Sequence, residues 1–159
     1  MAFKVFISHS VKDISLVKQL QYWLDRNQIE AYIFEEYPQP GTMIGEKVAR
    51  AIDRSDCVLA LMTRDGSRSQ WVHNEVGYAK GKEKIVIPIV ENGVINGGFL
   101  EGVEYIPFRI YDPYDTISRT VQYLSTLKSA KKEQEQRNKV LLAGLMVFFG
   151  LLALSGENE

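Results

Sequence analysis

The sequence predicts an α/β fold: a flavodoxin-like, five-stranded parallel sheet in the order 2-1-3-4-5, flanked by helices, with a further hydrophobic helix at the C-terminus. Three observations carry this reading. Short apolar, β-branched runs recur five times along the chain, and segments with helical periodicity alternate with them. The first three elements have the spacing of a strand, a crossover helix and a second parallel strand. Finally, 159 residues at 45% apolar and 25% charged content suit one ordinary globular domain with room for an appendage.

Phe3 to Ile7 is short, apolar and β-branched, and reads as the first strand. It ends in the polar loop Ser8-His9-Ser10. Asp13 to Asn27 reads as an amphipathic helix, with Ile14, Val17, Leu20 and Leu24 at helical spacing and Lys18, Gln21, Asp25 and Arg26 on other faces. Ile29 to Phe34 is the second strand. Glu35 to Gly45 holds two prolines and two glycines, which exclude regular structure, and Pro40-Gly41 is a turn signal. A loop of that length in a compact α/β domain is either a plain connection or functional. Glu46 to Arg54 reads as a helix with Val48, Ala51 and Ile52 inward. Cys57 to Thr63 is the third strand, and a helix follows from Gln70. Ile85 to Val90 is the fourth strand, whose Pro88 suits a strand end or an irregular edge. Asn92 to Gly102 holds four glycines and reads as loop. Tyr105 to Ile110 is a weaker fifth strand, and Ile117, Val121, Leu124 and Leu127 mark a last amphipathic helix.

Composition removes several function classes. A net charge of −1 offers no electrostatic case for nucleic acid, which needs a basic surface. The single cysteine, Cys57, excludes an internal disulfide, and its apolar setting favours an inert buried thiol. With only His9 and His73, no metal site is expected. The N-terminus runs straight into a strand without a signal-peptide pattern, which places the globular part in the cytoplasm.

Ligands of a doubly wound sheet bind beyond the carboxyl ends of the strands, at the switch point between the first and third. Those ends carry Ser8-His9-Ser10 and the segment Thr63 to Glu75. Ser67 and Ser69 are good helix N-caps, so Trp71 and Glu75 fall four residues apart on one helix face. On residue types alone, Trp71 is more often a core anchor and Glu75 a solvated helix position. The topology instead brings an indole and a carboxylate to one crevice with the first loop. His73 lies off that face.

At this point the chain resembles the Toll/interleukin-1 receptor (TIR) domain family. Phe6-Ile7-Ser8-His9-Ser10 resembles the family's first-strand box. Glu35 to Gly45 resembles its BB loop, with Gly41 at the loop glycine. Ser69 to Glu75 (Ser-Gln-Trp-Val-His-Asn-Glu) matches its S-x-W-x-x-x-E motif, and Lys84 to Ile89 its fourth-strand box. The likeness covers residues 3–127. It departs where the family often has an arginine after the first strand, here Ser10 and Val11, and an aspartate ending the second, here Phe34-Glu35. The resemblance to the NAD+-cleaving members, prokaryotic ones included, implies an assembly-dependent NAD+ nucleosidase or ADP-ribosyl cyclase serving anti-phage signalling. It makes Glu75 catalytic and Ser8, His9, Ser10 and Trp71 substrate-binding, with NAD+ as substrate and no cofactor. It also gives Tyr37, Gly41 and Ile44 to self-association through TIR–TIR contacts. A non-catalytic TIR adaptor and a nucleoside deoxyribosyltransferase-like enzyme are the competing readings.

The domain organisation expected is a TIR domain over 1–127, a charged connector over 128–139 and a hydrophobic helix over 140–156. Val140 to Leu154 carries no charged or strongly polar group. Lysines and an arginine precede it and Glu157 and Glu159 follow, so by the positive-inside rule it reads as a tail anchor at the inner face of the cell membrane. Packing against the domain or against other subunits is the alternative.

Overall fold

One sheet of five parallel strands organises the first part of the chain in the computed structural model, which describes residues 2–34, 44–95 and 97–155. Strand β1 (Phe3–Ser8) lies between β2 (Ile29–Ile33) and β3 (Cys57–Met62), and β4 (Ile85–Glu91) and β5 (Ile106–Phe108) continue beyond β3. The order β2-β1-β3-β4-β5 is the one expected. The register sets Phe6 opposite Tyr32 on one side and Val58 on the other. The helices are α1 (Ile14–Arg26), α2 (Ile44–Arg54), α3 (Gln70–Gly81) and α4 (Pro113–Ser155).

β3 is buried at every position, as a strand covered by helices on both faces must be. Side chains alternate along each strand, so Phe6, Val58, Ala60, Met62, Val86 and Val90 share one face. There they pack with Val48 and Ile52 of α2 and with Val72, Val76 and Ala79 of α3. α1 buries Val17, Leu20 and Leu24 of the expected stripe together with Leu16, while Ile14, at the first helical position, is only half-buried. A short 3-10 turn, Val11–Asp13, precedes it and is capped by the Ser10 hydroxyl.

Two strand expectations need adjusting. β5 is only three residues long, not the six from Tyr105 to Ile110. Pro107 sits at its centre without an N–H to donate, and Tyr105 and Ile110 stand exposed on either side. Pro88 lies inside β4 and not at its end. The pairing with β5 begins at Ile89↔Ile106, one residue past the proline.

The segments read separately as a last amphipathic helix, a connector and a hydrophobic helix belong to one helix, α4. Its start follows from the sequence: Pro113 takes the first helical position and the Asp112 carboxylate accepts from the Asp115 N–H at 3.3 Å. The chain divides into two units, Met1–Tyr123 and Leu124–Glu159. In the second, the ion pairs Lys131–Glu135 and Glu133–Arg137 span one helical turn. The expectation of a membrane anchor is corrected: among the described residues, no helix is long and apolar enough to cross a membrane. The apolar run from Val140 to Leu154 is the physical reason, since as a helix it reaches about 22 Å against a hydrocarbon core of about 30 Å.

Candidate active site

The site grows out of strand alternation. Phe6 points to the α2/α3 face, so Ser8, two residues on, points there as well, at the carboxyl end of β1. Its hydroxyl donates to Glu75 Oε2 of α3, across 67 residues of sequence, in a fully buried contact. The approach of α3 is set by the turn before it. Gly66 packs so closely on β3 that a Cβ there would stand 2.0 Å from the Leu61 carbonyl oxygen. Its N–H donates to Thr63 Oγ1 at 2.9 Å, and Thr63 in turn donates to Asp13 Oδ2 at 2.9 Å. The Ser69 hydroxyl then caps α3 by accepting from the Val72 N–H. This cap fixes the phase of the helix and turns Glu75 inward.

Glu75 is 5% exposed. Burial pushes its pKa up from 4.5 to about 7, against hydrogen bonds from Ser8 and Trp71 that favour the charged form. A second buried carboxylate gives the contrast. Glu91, at the end of β4, accepts from the Arg64 backbone N–H at 2.8 Å and pairs with the Arg64 guanidinium at 3.4 Å. Among the described residues Glu75 has no such cation. A buried carboxylate with hydrogen bonds and no counter-charge lacks the compensation that structural carboxylates normally have.

Glu75 also lines a cavity of about 210 Å³ between two helices. One wall is Gly45, Val48, Ala49 and Ile52 of α2, and the other is Trp71, Asn74, Glu75 and Tyr78 of α3. Each wall has the spacing of one helical face. Tyr78 donates through its hydroxyl to the Asp53 carboxylate at 3.1 and 3.2 Å.

The expected site residues divide. Ser8, Trp71 and Glu75 come together. Ser10 is taken up by its capping role, and the His9 ring bonds its Nδ1 to the Ser10 carbonyl oxygen at 2.9 Å. The hydrogen bonds to Glu75 come from Ser8 and Trp71 instead. His73 turns away, its Nε2 2.7 Å from the Ser67 carbonyl oxygen. Tyr37 and Gly41 lie outside the described residues, and Ile44 begins α2. The α2 wall, Asn74 and Tyr78 were not anticipated. Asn74 and Tyr78 had a signal, since they repeat the Trp71/Glu75 spacing on the same helix, whereas Gly45, Val48, Ala49 and Ile52 of α2 had none beyond an ordinary helical stripe. Among the described residues no group of acidic, histidine or cysteine side chains is arranged to hold a metal ion.

A buried carboxylate at the switch point of a 2-1-3-4-5 parallel sheet, beside a tryptophan one turn away, defines the class of fold and site. The TIR domain family model matches residues 5–140, and the chain belongs to that family. No curated protein matches it. The TIR domain of a Toll-related receptor from Hydra magnipapillata superposes with a TM-score of 0.63 at 20% identity, over 77% of this chain and 97% of that one. The TIR domains of the activated Roq1 resistosome, which directly recognizes the pathogen effector XopQ, give 0.62 at 14% identity, over 77% and 99%. A Clostridium botulinum CMP N-glycosidase gives 0.61 at 17% identity, over 76% and 98%. At these identities the likeness is one of fold.

Proposed function

We propose that this TIR domain is an NAD+-cleaving enzyme of the prokaryotic type, which breaks the N-glycosidic bond and releases nicotinamide, with Glu75 as its catalytic residue. The observation that carries the proposal is the Glu75 carboxylate, buried beside Ser8 on the wall of a cavity and without a compensating cation among the described residues. The nicotinamide of NAD+ is already a cationic leaving group, so its departure needs no protonation. It leaves an oxocarbenium-like ribose, and a fixed carboxylate near the anomeric carbon stabilises that charge. The positive charge missing from the Glu75 environment is thus supplied by the substrate. The ionised form does the work, so the rate rises with pH as Glu75 loses its proton. Water captures the sugar cation to give ADP-ribose, or an internal nucleophile closes a cyclic product.

Trp71, one turn before Glu75, offers a flat surface to a ring, and Ser8 holds the carboxylate in place. Ser10 and His9 of the loop after β1 contact the substrate, by the family resemblance. By the family resemblance, the enzyme is assembly-dependent through TIR–TIR contacts involving Tyr37, Gly41 and Ile44, and its role is anti-phage immune signalling.

The test is NAD+ consumption with product analysis, for concentrated wild type and Glu75→Ala side by side. The variant is expected to lose about two to three orders of magnitude in rate. Equal consumption by both removes Glu75 from the chemistry. No consumption by either, under crowding as well as in dilute buffer, leaves a TIR adaptor.

A further inference from the structure

We infer that Glu91, a buried carboxylate with no part in the chemistry, is a positioning residue for Glu75, and that it acts together with Asp13 through the turn that joins β3 to α3. This inference rests on the catalytic reading of Glu75 and adds what holds that carboxylate in place. Glu91 ends β4 and is 8% exposed. Met62 and Val90 are paired in the sheet, so Glu91 lies level with Thr63, the first residue beyond β3. One oxygen of its carboxylate accepts the Arg64 backbone N–H at 2.8 Å, and the other stands 3.4 Å from Arg64 Nε. The two contacts differ in weight. The Arg64 guanidinium is largely in water, where an ion pair contributes little. The bond from the N–H to a carboxylate is of the stronger kind, and it holds main chain and not a flexible side chain.

Thr63 is held from the other flank. Its hydroxyl donates to Asp13 Oδ2 at 2.9 Å and accepts from the Gly66 N–H at 2.9 Å, and its carbonyl accepts from the Ser67 N–H at 2.8 Å. Consecutive residues leaving β3 are thus fixed by carboxylates from two different elements, Asp13 from the 3-10 turn before α1 and Glu91 from β4. By strand alternation, the side chains of Thr63 and Glu91 lie on the sheet face opposite the one that Met62 and Val90 share with α2 and α3. Neither acid therefore reaches a ligand beside Glu75, and both act on it through main chain. The path is short: the turn Gly66–Arg68 leads directly to the Ser69 cap, and Glu75 follows in the second turn of α3. A helix is stiff over that length, so a slip of the turn carries Glu75 with it and off the Ser8 hydroxyl. A misplacement of about 1 Å costs on the order of a hundredfold in rate.

The test uses the full chain and two measurements. Glu91→Leu removes the acceptor and should lower kcat for NAD+ cleavage about tenfold to a hundredfold, with KM little changed. Glu91→Gln keeps an oxygen for the Arg64 N–H and should recover most of that loss, although it forfeits the ion pair. The second measurement needs no substrate. Ser8 bonds Glu75 and Glu91 bonds Arg64, and β3 lies between their strands, so independent substitutions at the two positions would multiply in the folding equilibrium constant. Chemical denaturation of Glu91→Leu, Ser8→Ala and the double variant should instead fall short of that product by about fivefold or more, because Glu91→Leu already parts Glu75 from Ser8. A product obeyed to within about twofold overturns the inference. So does a kcat loss that Glu91→Gln fails to recover, since the charge and not the hold on the turn would then be the cause. If Glu91→Leu fails to fold by circular dichroism, Thr63→Val, which releases the Asp13 side of the same turn, takes its place under the same criteria, with Thr63→Ser as the recovering variant. The two measurements separate the two ideas. Coupling between Ser8 and Glu91 in a wild type that does not cleave NAD+ keeps the positioning of Glu75 and defeats the NAD+ reading. Cleavage that needs Glu75, with kcat unchanged in Glu91→Leu, keeps the enzyme and defeats the positioning.

Discussion

Glu75→Gln should make the protein more stable at neutral and alkaline pH, and the gain can be worked from the burial of one carboxylate. Folding raises the pKa of Glu75 from 4.5 to about 7, chiefly by desolvation. The native state therefore holds the proton more tightly than the unfolded chain does. Below about pH 4.5 both states are protonated and the group contributes no pH dependence. Between about 4.5 and 7 the native state binds more protons, so stability falls as pH rises. Above about 7 the loss is complete. At about 1.4 kcal/mol per pH unit, the full loss is about 3 kcal/mol, and 2–3 kcal/mol is the working range. Glutamine stays neutral throughout and keeps an oxygen to accept from Ser8. The variant and the wild type should thus unfold alike at pH 4 and differ by roughly 5–10 °C in Tm at pH 8, with the variant higher. Thermal unfolding followed by circular dichroism from pH 4 to 9 measures this, and every other titrating group cancels in the difference. A difference that does not vary with pH, or a wild type that gains on the variant as pH rises, would refute the reasoning that Glu75 is held uncompensated.

Two other substitutions probe the same construction. Ser8→Ala removes a donor that favours the Glu75 carboxylate, so the pH of half-maximal kcat/KM for NAD+ cleavage should move upward by about one unit, while Ser8→Thr should restore it. A uniformly lower rate with an unmoved profile would mean that Ser8 acts only in packing. Gly66→Ala drives a Cβ to 2.0 Å from the Leu61 carbonyl oxygen, so the turn before α3 must shift, at a cost of about 1–3 kcal/mol. Chemical denaturation reads that cost, and an unchanged midpoint would show the turn to be soft.

Much of the fold was legible in the sequence because its signals are local. The run from Cys57 to Met62 is apolar at every position, which is what a central strand of a covered parallel sheet requires, and it is buried throughout. Ser69 reads as a cap from residue type and spacing alone, and it caps α3. The errors fall where local signals are overridden. β5 carries the apolar character of a longer strand, but a proline at its centre and a sheet edge on one side leave only three residues paired. Val140 to Leu154 has the apolar composition of a membrane segment and not its length.

The candidate site was half legible, for a geometric reason. Trp71 and Glu75 announce themselves because they are unusual residues one turn apart on a capped helix. Ser8 follows from topology, since the end of β1 must face the switch point. The α2 wall cannot be found this way. Gly45, Val48, Ala49 and Ile52 look like an ordinary amphipathic stripe, and an alanine in such a stripe is the commonest thing a helix can offer. Its meaning is relational: Ala49 matters only because α3 sets Trp71, Asn74 and Glu75 across from it, and a void between two helices is a property of both faces together. The same logic explains why the site is placed on helix faces at all. Ser8 ends a buried strand and Glu75 sits in a capped helix, so the carboxylate is fixed before any ligand arrives. A preorganised charge of that kind is what an oxocarbenium-like transition state can use, and what a fold would otherwise be more stable without.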